Sequence, residues 1–196
     1  MARQLFEHRD WALVAFNDET VLFLKRTEVN RPIIERHSFA HLWPGNWNFG
    51  EITQTNLPAM AAEAVRAYEM YPGLYARATV ARCAMLNGDY ARAAELLAVL
   101  TKQPDASEPF WRDYAYSLFM AKRFEETNRV LDEMLRKKMS AGFVYYMKHF
   151  VALQRQQPGE AKAFLGKALE AEPANGQYRQ ALMRLQSGDA TTNRQI

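Results

Sequence analysis

The sequence predicts a mainly α protein: an α-solenoid of about three helical repeats with flanking helices, preceded by a short N-terminal β-hairpin. Three observations lead there. From about residue 57 to residue 186, apolar residues recur at helical spacing. Inside that stretch the residue pattern repeats at a period of 34. Residues 10–25, by contrast, hold two short β-forming runs around a polar turn.

The hairpin comes first. Trp11–Phe16 and Val21–Leu24 are the strands, and Asn17-Asp18-Glu19-Thr20 is the turn. Two strands alone are marginal in water, so the hairpin must dock on something or pair with a further strand. Pro32-Ile33-Ile34-Glu35 is the candidate for that strand. Residues 37–58 lose all helical period and collect aromatics and turn formers, His37 to Gly50 above all. They read as an ordered loop that lays its aromatics against the next module. Residues 1–56 are thus expected as one N-terminal piece packing on residues 57–188, with a disordered tail at 189–196.

A helix is expected over 57–71, with Asn56 as N-cap and Pro58 near its first position, ending at Tyr71-Pro72-Gly73. Repeats follow at 74–107, 108–141 and 142–175, and a capping helix at 175–185. At a step of 34, Arg77, Trp111 and Tyr145 align, as do Ala81, Ala115 and His149. So do Ala93, Thr127 and Ala161; Leu97, Leu131 and Leu165; and Leu100, Met134 and Ala168. Small residues let the two helices of a repeat approach, large ones fill the space between repeats, and stability accumulates by stacking.

These columns resemble the tetratricopeptide (TPR) pattern. Gly88-Asp89-Tyr90 matches its turn between helices. Pro173 takes the slot of its helix-ending proline, Pro104 lies one residue before that slot, and Met139 stands there in the middle repeat. Two departures stand out: His149 is bulky for a small slot, and Lys148 replaces a usual leucine.

Composition narrows the function classes. The chain has 196 residues and a formal net charge of +3, too small for an obvious nucleic-acid protein. The one basic run, Arg136-Lys137-Lys138, ends a predicted helix, where it suits the helix dipole. Cys83 is the only cysteine, which excludes an internal disulfide and a cysteine-based zinc site. Its apolar surroundings make it a small core residue. No Gly-rich phosphate loop, nucleophile elbow or catalytic carboxylate pair can be named, and no cofactor is expected. His37 and His41 have the i,i+4 spacing of two metal ligands, but they sit beside Trp43-Pro44-Gly45 in a non-helical stretch, so no metal site is expected. The chain is therefore expected to be no enzyme.

The TPR resemblance implies a concave groove lined by the first helix of each repeat. Its groove slots fall on Tyr75, Ala78, Arg82 and Met85, then Pro109, Arg112, Tyr116 and Phe119, then Phe143, Tyr146, Phe150 and Leu153. Aromatics and Arg are the residues of interface hot spots. The expected partner is a protein or peptide held by Tyr75, Arg82, Arg112, Tyr116, Phe119, Tyr146 and Phe150. Three readings of this face stay open: it is filled by the protein's own residues 37–50, it takes an external segment, or the slots are misregistered.

The N-terminal stretch carries a second resemblance. Trp11–Asp18, Val21–Arg26, Asn30, Ile33–Phe39 and Leu42-Trp43-Pro44 look like the segment after the last membrane span in bacterial multi-pass proteins similar to membrane glycosyltransferases of the lipid-linked-sugar type. That resemblance implies an extracytoplasmic accessory domain, on the periplasmic face of the inner membrane if the chain is a piece of such a protein. A cytoplasmic location is expected if the chain is complete.

Overall fold

The computed structural model describes residues 2–48 and 52–186; the tail expected at 189–196 lies outside the described residues. The protein is mainly helical with a small two-stranded antiparallel sheet. It divides into two compact units, Met1–Ala106 and Ser107–Ile196. The division falls within the helical part, and the N-terminal 56 residues belong to the same unit as the first helices that follow them.

The first unit begins with α1 (Ala2–Phe6), then β1 (Trp11–Phe16) and β2 (Val21–Lys25), which pair with Trp11 opposite Lys25 and Phe16 opposite Val21. Asn17 makes the turn: its Oδ1 accepts from the Glu19 and Thr20 amides at 2.9 and 2.7 Å. The expected third strand at Pro32–Glu35 is instead part of a helix, α2 (Arg31–His37). Pro32 sits in its first turn, where a missing N–H leaves no hydrogen bond unmade. The amides of Ile33 and Ile34 both reach back to Asn30 O. Ile34 packs on Ala12 and Val14 of β1, while Ile33 points outward, as neighbouring positions on a helix do. The extra pairing for the hairpin comes from Phe39, whose amide donates to Leu13 O at 2.8 Å.

Three helices complete this unit: α3 (Leu57–Met70), α4 (Leu74–Leu86) and α5 (Tyr90–Leu100), with α4 packed on α3 and α5 on α4. Asn56 stands at the N-cap of α3, but its Oδ1 accepts from the Thr53 amide at 2.8 Å and so braces the incoming loop, not the helix. The second unit runs α6 (Glu108–Met120), α7 (Phe124–Arg136), α8 (Ala141–Gln154), α9 (Pro158–Ala171) and α10 (Gly176–Gln186), again with consecutive helices in contact.

The 34-residue period is written into the backbone as well as the side chains. Gly88, Lys122 and Gln156 all adopt left-handed backbone, φ 77°, 61° and 60°. Each closes the same helix end: Gly88 N donates to Met85 O, Lys122 N to Phe119 O and Gln156 N to Leu153 O. The next amide in each case reaches one residue further back, Asp89 to Ala84, Arg123 to Leu118 and Gln157 to Ala152. The columns at Ala81/Ala115/His149, Ala93/Thr127/Ala161, Leu97/Leu131/Leu165 and Leu100/Met134/Ala168 are all buried.

Candidate functional site

In the first unit the slot at Tyr75 is closed by the N-terminal segment. Tyr75 is 4% exposed. Phe16 of β1 meets its ring edge-on at 5.9 Å, and Trp47 of the loop does so at 5.3 Å. The hairpin turn also caps the helix that carries Tyr75. The Asp18 carboxylate accepts from the Leu74 and Tyr75 amides at 2.8 and 3.1 Å, a negative charge on two unpaired donors at a helix N-terminus. A Cβ on Gly73 would stand 2.6 Å from that carboxylate, so a side chain there would push it away from the two amides.

Two side chains of α3 hold the loop in place. Glu63 accepts from the amides of Ala40, His41 and Leu42 at 2.8, 2.9 and 2.9 Å. Arg66 donates to Ser38 O at 2.6 Å and lies over the Phe39 ring at 4.4 Å. Phe39 and Leu42 are buried as a result. The loop leaves an open cavity of about 240 Å³ lined by His41, Trp43, Asn46, Asn48, Asn56 and Tyr75, among others, with no carboxylate, ammonium or guanidinium among the described residues of its wall. His37 ends α2 and His41 lies in the loop beyond it, so the pair shares no helical face. Among the described residues no group of three or more His, Cys, Asp or Glu side chains is placed to hold a metal ion.

Arg82, on α4, is half-buried, and among the described residues its Nε has no hydrogen-bond partner. Beside it Cys83 packs with Ile52 and Leu57. Burial pushes the Cys83 thiol up to about 11, against the opposing pull of the Arg82 charge. A buried thiol held neutral in this way is a poor nucleophile.

In the second unit three of the slots, Phe119, Tyr146 and Phe150, converge on one aromatic row. Phe119 of α6 lies 6.1 Å from Phe150 of α8, Phe150 lies 4.8 Å from Tyr146, and Tyr146 lies 4.7 Å from Tyr178 of α10. Phe119 and Phe150 are 6% and 9% exposed, so with Tyr75 they are buried members of the seven. The physical reason is mutual cover: aromatic rings on adjacent helices bury one another's faces and edges. Tyr116, Tyr146 and Arg112 stay half-buried. The Arg112 guanidinium lies over the Phe143 ring at 4.5 Å. Its Nε is 3.2 Å from Glu108 Oε1, too bent for a hydrogen bond. Phe119, Phe150, Tyr146 and Tyr178 therefore form one packed row, and Arg112 and Tyr116 are half-buried on α6.

The two sequence departures are accommodated behind this row. His149 is buried, its Nδ1 is 3.1 Å from Ala161 O, and only the Nδ1–H tautomer can donate there. Burial lowers its pKa, partly offset by that hydrogen bond. Lys148 extends along the Phe164 ring to the Asp132 carboxylate, 2.6 Å away.

Sequence reasoning missed Tyr178, which is buried on α10 and closes the end of the row. Burial first, then the Glu172 charge, push its hydroxyl up to about 12. Asp18, Glu63 and Arg66 were missed as well. Their partners are backbone groups more than 20 residues away, and no local pattern marks such contacts. No protein-family model matches the chain, and no curated protein matches it.

Proposed function

We propose that this chain is a TPR-type helical repeat and a non-catalytic interaction module that holds an extended or helical segment of another protein. The observation that carries the reading is the second unit's row of Phe119, Phe150 and Tyr146, together with half-buried Arg112 and Tyr116 on α6. Rigid aromatics and Arg offer large contact area at low entropic cost. The TPR assignment is supported by the left-handed turns recurring every 34 residues and by the buried small-residue columns. In the first unit Tyr75 is taken by the chain's own segment, which leaves Arg82 as the slot residue there without a hydrogen-bond partner at Nε among the described residues. The experiment is a selection from a displayed peptide library on the full chain. Peptides that bind the wild type should lose at least about tenfold in affinity against Tyr116→Ala with Arg112→Ala, as truncation of a hot-spot pair predicts. They should keep it against a distant surface change, Lys162→Ala. Failure to select any peptide, or binding indifferent to the pair, would overturn the reading.

A further inference from the structure

The chain contains two Asn-Gly pairs, Asn87-Gly88 and Asn175-Gly176, and the structure holds them very differently. Such a pair can close on itself. The glycine backbone nitrogen attacks the asparagine Cγ, the Cγ–Nδ2 bond breaks, and ammonia leaves from a five-membered succinimide. Water then opens the ring to aspartate or isoaspartate. The only co-reactant is water. The reaction needs a carboxamide free to turn toward the next residue and a backbone free to bring nitrogen and carbon together.

Asn175 is denied that freedom. Its Oδ1 accepts from the Gln177 amide at 3.1 Å and the Tyr178 amide at 3.4 Å, and its Nδ2 donates to Glu172 Oε2 at 3.0 Å. The residue it caps, Tyr178, is buried, so the cap cannot open without loosening α10. Asn87 is exposed, and among the described residues its carboxamide makes no hydrogen bond. It ends α4 at ψ −2°, and the glycine after it lies in left-handed backbone with nothing within 4 Å of where a Cβ would stand. The restraints here lie in the backbone: the Asn87, Gly88 and Asp89 amides donate to Cys83 O, Met85 O and Ala84 O at 3.0, 3.1 and 2.9 Å, bonds at the end of the helix that do not hold the carboxamide.

We propose that Asn87 is a site of spontaneous deamidation through a succinimide, and that its fold shields Asn175 from the same reaction. The product places a carboxylate at the negative end of α4, beside Asp89, whose own carboxylate caps α5 through the Arg92 amide at 3.1 Å. The isoaspartate form also adds a methylene to the main chain of a turn that recurs in the repeats. Conversion at Asn87 therefore weakens the α4–α5 turn and removes one unit of positive net charge.

The test is to hold the full chain in warm, mildly alkaline buffer and map its peptides by mass. A second sample goes to an isoaspartyl methyltransferase with labelled methyl donor. The Asn87 peptide should show the Asn-to-Asp mass shift and carry the label, and Asn87→Gln should abolish the label. The Asn175 peptide should convert at least about tenfold more slowly, the factor expected when its three side-chain hydrogen bonds must open first. In urea the two should convert at similar rates. The proposal is overturned if Asn175 converts as fast as Asn87 in the folded chain, if Asn175 stays slow in urea, or if Asn87 is no faster than Asn128 inside α7.

Discussion

At the residue scale, three side chains report on how tightly the helices close. Cys83 is buried with its thiol pushed up to about 11, so it should resist alkylation in native buffer and react at once in denaturant. Labelling by iodoacetamide with and without urea checks this; fast native labelling would mean that the Ile52–Leu57 cluster does not cover the sulfur. His149 makes a pH prediction of definite sign. Its folded pKa lies below the ordinary 6.5, so the unfolded chain binds the proton more readily. Its contribution is complete above about pH 6.5 and is lost as the pH falls through the depressed folded value. Urea unfolding between about pH 7.5 and 5 should show wild-type stability falling more steeply than that of His149→Gln; parallel slopes would place the imidazole in water. Trp111 is buried with Lys137 Nζ 5.5 Å from its ring centre. Trp111→Ala should cost about 3–5 kcal/mol in the same measurement. A cost below about 1 kcal/mol would contradict its place in the core.

At the element scale, the turns carry the repeat and some carry strain. Lys122 and Gln156 adopt the left-handed backbone that Gly88 adopts at the equivalent point of the preceding repeat. A side chain there costs about 1 kcal/mol relative to glycine. Lys122→Gly and Gln156→Gly should therefore each stabilise by roughly 0.5–1 kcal/mol, and Gly88→Ala should destabilise by a similar amount. Chemical unfolding reads all three, and loss of stability in both glycine variants would contradict the shared turn. The elements that were legible in the sequence are those whose cause is local. The helices from residue 57 onward follow from periodicity, and the hairpin follows from two β-forming runs around Asn17, whose side chain closes the turn itself. Pro32–Glu35 was misread because two adjacent isoleucines satisfy a short strand as well as a helix, and only the three-dimensional position of β1 decides which of them is buried. The seven site residues lie on α4, α6 and α8. Their exposure was not legible, since burial of Tyr75 depends on Phe16 and Trp47, and burial of the far end of the row depends on Tyr178.

At the scale of the whole molecule, residues 2–48 belong to the first unit and close its helices, while the second unit presents the aromatic row. Glu63 satisfies three consecutive amides of the loop at once. Glu63→Ala should cost about 1–3 kcal/mol, because those donors lose a charged acceptor together. Deletion of residues 1–56 should go further and expose the apolar face of α3 and α4 to a dye such as ANS. An N-terminally truncated chain that unfolds like the intact one would show that the segment is an appendage. The central claim is that the partner segment sits on α6, α8 and α10 while the N-terminal segment keeps its place on α3 and α4. Amide hydrogen exchange of the full chain, with and without a selected peptide, tests it most directly. The account predicts added protection along α6, α8 and α10 and unchanged exchange at residues 38–42. Protection appearing on α3 and α4, with faster exchange at residues 38–42, would contradict it, because the peptide would then have displaced the chain's own segment.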